Sequence, residues 1–149
     1  MIRGKNIEGM TLKLCRKYLG LKQKDLGKML GFSDSTAEIR IAQYESGERK
    51  PKKETRLKMC DILGISEGAI KAPLLETEKD IVHILMHIDT LCGLKMKKEH
   101  GNIYIRFPIE CNTIRYYLEL LYRLKEMLSD GELEYDTYQY IKAAFGRYD

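Results

Sequence analysis

Residues 36–46, TAEIRIAQYES, place side chains that read flat hydrogen-bonding edges on one face of a short helix. At 100° per residue, Ala37, Ile41 and Tyr44 share a narrow arc and are expected to point inward. Ile39, Ala42, Gln43 and Ser46 point the opposite way, flanked by Thr36, Glu38 and Arg40. A glutamine can pair bidentately with adenine and an arginine with guanine, and an exposed isoleucine can meet a thymine methyl. The plainer alternatives are a solvated face for Gln43 and Arg40, and a partner contact or simple surface residue for Ile39. Directly downstream lie Arg49, Lys50, Lys52 and Lys53. Beside a base-reading helix they are expected to reach phosphates and supply sequence-blind, salt-dependent affinity; elsewhere such a run is a solvated loop.

Other candidate chemistry is weaker. His83 and His87 are four apart, with Asp80 three residues earlier. That spacing can put two imidazoles on one face, but no third ligand is secure, so a structural or surface role is expected. His100 belongs to a turn. Cys15, Cys60, Cys92 and Cys111 form no Cys-x-x-Cys pair. They are read as reduced thiols of a cytoplasmic protein, with no metal and no cofactor. Neither a phosphate-binding glycine loop nor a nucleophile–base pair stands out, and an enzyme is not expected.

The composition, 44% hydrophobic and 32% charged, is that of a globular protein. No apolar run approaches the roughly 18 residues that span a bilayer. The segment 1–9 has basic residues but no apolar stretch after them, so no secretory signal is expected. Charge is uneven: residues 1–72 carry a net +7 and residues 73–149 a net −3. Only the first part is expected to meet a polyanion.

These residues need elements to position them. Helical periodicity with glycine stops predicts helices over about 9–19, 23–30, 35–45 and 53–63, and a short one over 67–71. Pro73 marks a joint too short for a flexible linker. A further helix is expected from the cap Thr77 to Gly93. Alternation around Leu94–Lys97 and Ile103–Phe107, joined by Glu99-His100-Gly101-Asn102, predicts a β-hairpin. It must pack on neighbouring helices or on a second copy, since an isolated hairpin is marginal in water. Helices over about 110–128 and 135–145 follow. The expected fold is mainly α, with a five-helix domain over 1–72 and a small α+β domain over 73–149 built as helix, hairpin, helix, helix.

The ordered set Leu14, Arg16, Lys17, Gly20, Leu21, Gln23, Leu26, Leu30, Gly31, Tyr44-Glu45-x-Gly47, Lys50-Pro51, Leu57 and Leu63-Gly64 resembles the lambda-repressor-like, or xenobiotic-response-element, helix-turn-helix family over residues 9–70. The resemblance implies a second helix across the DNA backbone and a third in the major groove of double-stranded DNA. It implies that Gln23 contacts phosphate and braces the third helix. Gly27 stands where the family usually has alanine, and Lys22 where it usually has a Ser or Thr cap. The span Gly31 to Gly47 holds four residues more than the commonest pattern, within Ser33-Asp34-Ser35-Thr36-Ala37-Glu38. This insertion either lengthens the recognition helix or loops out. Asp34 and Glu38 either accept from cytosine N4 or repel phosphate. Ser33, Ser35 and Thr36 join the expected DNA-facing set.

The implied function is a sequence-specific transcriptional regulator, a repressor of phage or mobile-element type acting as a homodimer. The alternative is an antitoxin-like interaction module that binds a partner protein through residues 73–149. Some relatives carry a self-cleaving serine–lysine domain, but here Ser129 is the only serine beyond residue 66. Eight of ten tyrosines lie after residue 100. They suit an interface, or packing between the last two helices; base stacking is disfavoured by the local negative charge.

Overall fold

In a computed structural model of the chain, residues 6–71 and 77–147 are described. The elements run α1 (Ile7–Tyr18), α2 (Gln23–Met29), α3 (Ala37–Ser46), α4 (Lys53–Leu63), α5 (Glu67–Ile70), α6 (Glu78–Cys92), β1 (Lys95–Glu99), β2 (Asn102–Arg106), α7 (Asn112–Ser129) and α8 (Tyr135–Ala144). The fold is mainly helical with one antiparallel hairpin. The expected joint at Ala72-Pro73 lies outside the described residues.

One compact unit comprises 6–71 together with 131–147. Its core is Leu12 and Cys15 of α1, Leu26 of α2, Ile41 of α3, Met59 and Leu63 of α4, Ile65, and Ile70 of α5, each at most 1% exposed. Burying each large aliphatic side chain favours folding by about 1.5–3 kcal/mol. The helix α1 starts earlier than Gly9 because Asn6 caps it. Asn6 Oδ1 accepts from the Gly9 N–H at 3.0 Å, while its Nδ2 donates to the Glu45 carbonyl at 3.2 Å. Gly9 is instead a contact point, where an added Cβ would lie 2.3 Å from the Glu45 carbonyl oxygen.

The division expected at residue 73 is corrected at its far end, because α8 packs with the first unit. The Tyr140 ring stacks on Tyr18 at 4.3 Å, and its hydroxyl donates to the Leu63 carbonyl at 3.0 Å. The Ser66 N–H donates to Ala143 O at 2.9 Å, and Arg147 donates to Asp61 O at 3.1 Å. Tyr140 therefore belongs to a sixth helix of the N-terminal fold.

The other unit holds α6, the hairpin and α7 within 77–130. Thr77 and Asp80 form a reciprocal capping box at the start of α6. The hairpin turns at His100-Gly101, both with positive φ (48° and 82°), as a tight two-residue turn requires. Its register pairs Lys95 with Arg106 and Glu99 with Asn102. Every strand residue is exposed, α6 has no buried residue, and α7 has only Leu124.

Candidate nucleic-acid interface

The α2–α3 pair depends on a close backbone approach. A Cβ on Gly27 would lie 2.5 Å from the Ala37 carbonyl oxygen and 2.7 Å from the Ala37 Cβ. Below the helices, Phe32 donates its N–H to Gly27 O at 3.0 Å and tilts its ring against Tyr44. Lys22 has no acceptor with which to cap α2. The N3 residue Asp25 reaches back to the Lys22 N–H at 3.2 Å, which supplies half of a capping box.

Ala37, Ile41 and Tyr44 are buried at the foot of α3, and the opposite face is open. Ile39 is 58% exposed. Glu38 is exposed and Gln43 half-buried. Arg40 is half-buried, with its guanidinium over the Phe32 ring at 6.0 Å, which limits how freely it swings. Ser46 is engaged locally: its hydroxyl donates to Gln43 O at 3.1 Å and accepts from the Glu48 N–H at 3.3 Å. The Gln43 carbonyl also accepts from the Arg49 N–H at 3.1 Å, which ties the basic stretch to the helix end. Arg49, Lys50, Lys52 and Lys53 are exposed around a buried Pro51.

The insertion does not lengthen α3. Residues 34–36 form a turn, with the Thr36 and Ala37 N–H groups both donating to Ser33 O. The hydroxyls of Ser33, Ser35 and Thr36 cluster on its surface, 2.8 Å apart for Ser33 and Thr36. Asp34 points back to α2, where it pairs with Lys28 and, at 2.6 Å, with Lys24. Hydrogen bonds from Lys24 and Lys28 hold its carboxyl down to about 2. A lowered acid favours the folded form above its ordinary value. The clamp is therefore complete at neutral pH and opens as pH falls from 3.8 towards about 2.

Asp34 thus occupies two lysines near the proposed groove-facing surface. Replacing Asp34 with alanine should free both for phosphate. Each new contact steepens the dependence of log affinity on log salt by about 0.9. An unchanged slope in titrations at several salt concentrations would mean that neither lysine reaches the duplex backbone.

Gln23, half-exposed, reaches α3: its Nε2 donates to Glu45 Oε2 at 2.8 Å. The same carboxylate takes two bonds from Arg16, from Nε at 2.5 Å and from Nη2 at 3.0 Å. Arg16 Nη1 donates to Leu21 O at 2.7 Å. This Arg16–Glu45–Gln23 network joins α1, the loop before α2, α2 and α3. Sequence spacing does not pair Arg16 with Glu45; its one signal is a charged residue on the Leu12–Cys15 side of α1. By contrast, Asp80 is committed to capping α6, His83 and His87 are exposed, and the described residues contain no cluster of three metal-ligating side chains.

A helix-turn-helix family model matches residues 12–70. This segment is a helix-turn-helix domain. Domains of this kind bind DNA with the second helix of the motif in the major groove. In this helix-turn-helix that helix is α3, presented by α2 across Gly27. The crystal structure of transcriptional regulator BswR is 24% identical over 55% of this chain and 92% of that one, with a TM-score of 0.42. No curated protein matches the chain. No described helix is long and apolar enough to cross a membrane.

Proposed function

We propose that the protein is a sequence-specific DNA-binding repressor that acts as a homodimer, reading the major groove with α3. The observation that carries this is the outward face of α3, an exposed Ile39 beside the half-exposed Arg40 and Gln43, on a helix braced through Glu45 and followed by four exposed cations. Ile39 supplies apolar contact, Arg40 and Gln43 read base edges, and Arg49, Lys50, Lys52 and Lys53 meet phosphates. Dimerisation falls to residues 77–130. Val82, Met86 and Leu91 of α6, Met96, Ile103 and Ile105 of the hairpin, and Tyr116 and Tyr122 of α7 are all exposed. So many exposed apolar side chains favour a partner, and among the described residues neither hairpin edge pairs with a third strand.

Selection of bound sequences from a random DNA pool, followed by titration at two salt concentrations, tests the reading. The expected product is a pseudo-palindrome whose half-sites lie about one helical turn apart. Gln43→Ala should cost about 1–3 kcal/mol at one base pair and relax specificity there, while Lys52→Ala should weaken all sequences alike. No specific competition at moderate salt would overturn the proposal. For the dimer, residues 77–130 should be replaced by a flexible linker with α8 retained. That chain is expected to sediment as a monomer and to bind one half-site weakly.

A further inference from the structure

The four cysteines fall into two classes. Cys15 and Cys60 are buried in the core of the first unit, and burial pushes both thiols up to about 11. Neither is accessible or acidic enough to react readily. Cys92 and Cys111 are half-exposed and lie in the second unit.

Chain geometry brings this second pair together. Cys92 is the last residue of α6, and Gly93 turns the chain in a left-handed conformation. The hairpin then starts at Lys95, which faces Arg106 at the open end of the ladder. Past Arg106, a turn closed by the Cys111 N–H donating to Pro108 O at 3.1 Å folds the chain back, and Cys111 immediately precedes α7. Two strands held side by side at their base therefore deliver both thiols to the same end of the hairpin. Burial raises the Cys111 thiol, and its hydrogen-bonding neighbour Cys92 raises it further.

We propose that Cys92 and Cys111 are a modification site, two thiols placed to close an intramolecular disulfide across the base of the hairpin when the protein meets a peroxide. In the first step one thiolate attacks a peroxide oxygen and becomes a sulfenic acid, releasing water once the leaving oxygen is protonated. In the second, the neighbouring thiol displaces that hydroxyl as a second water, forming the S–S bond. Overall, two thiols lose two electrons and two protons, and hydrogen peroxide becomes two molecules of water. The bond ties the end of α6 to the start of α7. It thereby cross-links the two helices that flank the hairpin.

The test uses the full chain, treated with a modest excess of hydrogen peroxide, then unfolded, alkylated and digested with trypsin without reduction. The expected result is loss of half the alkylatable thiols and a linked pair of peptides, residues 80–95 joined to 107–115. Reductant should restore all four thiols. Cys92→Ser and Cys111→Ser should each abolish the linked pair while keeping the wild-type thermal melt. Four intact thiols after peroxide would overturn the proposal. So would a linkage only between chains, seen as a covalent dimer on a non-reducing gel.

Discussion

Replacing Glu45 with alanine is expected to lower the stability of the helix-turn-helix by about 3–5 kcal/mol, the usual effect of stranding one member of a buried ion pair. Its side chain is 4% exposed and that of Arg16 8%. Without Glu45 the guanidinium keeps only its bond to the Leu21 carbonyl, and Gln23 loses its acceptor on α3. A domain of this size is stable by about 5–15 kcal/mol, so this is a large fraction of the whole. Urea unfolding measures it. Arg16→Met combined with Glu45→Leu should recover most of the loss, because the penalty arises from an unpaired charge more than from the missing attraction. A double mutant as unstable as Glu45→Ala would show that the geometry of the network matters beyond its charge. Glu45→Gln keeps an acceptor for Gln23 and should fall between.

Gly27→Ala is expected to destabilise, although alanine is the better helix former by about 1 kcal/mol. The added methyl would sit 2.5 Å from the Ala37 carbonyl oxygen and 2.7 Å from its carbonyl carbon. Backbone cannot yield as a side-chain tip does, so α2 and the start of α3 must separate. Overpacking of this kind costs about 1–3 kcal/mol, more than propensity returns. Thermal melting should show a fall in Tm, with a weaker hold on the recognition helix and lower DNA affinity. A rise in Tm would mean that the turn over 33–36 can shift to make room.

The two positions differ in how far sequence could reveal them. Helical periodicity places Ala37, Ile41 and Tyr44 inward correctly, because burial of one face is a local property of spacing. The hairpin at His100-Gly101 is legible for the same reason: its turn chemistry is local. The Arg16–Glu45 pair spans 29 residues and appears only when α1 and α3 meet. Asp34 is another such case. Its sequence neighbours suggest a group near the groove, whereas its ion partners lie on the preceding helix. The assignment of α8 fails similarly, since Tyr140 finds the Leu63 carbonyl across 77 residues of sequence and stacks on Tyr18. What sequence leaves out is long-range pairing, in which one chemical type has several equally plausible partners.

The return of α8 to the first unit also has a consequence for the order of synthesis. Residues 77–130 interrupt a fold whose last helix is made after them. As the chain leaves the ribosome, α1 to α5 emerge with Tyr18, Leu63 and Ser66 uncovered, and they stay so until residues 135–147 follow. Nascent chains arrested before Tyr135 should therefore be more open to protease in α1 than released ones. The helix-turn-helix domain then gains the contacts of α8 only once residues 135–147 have emerged, after the segment proposed to pair two copies has already had time to fold.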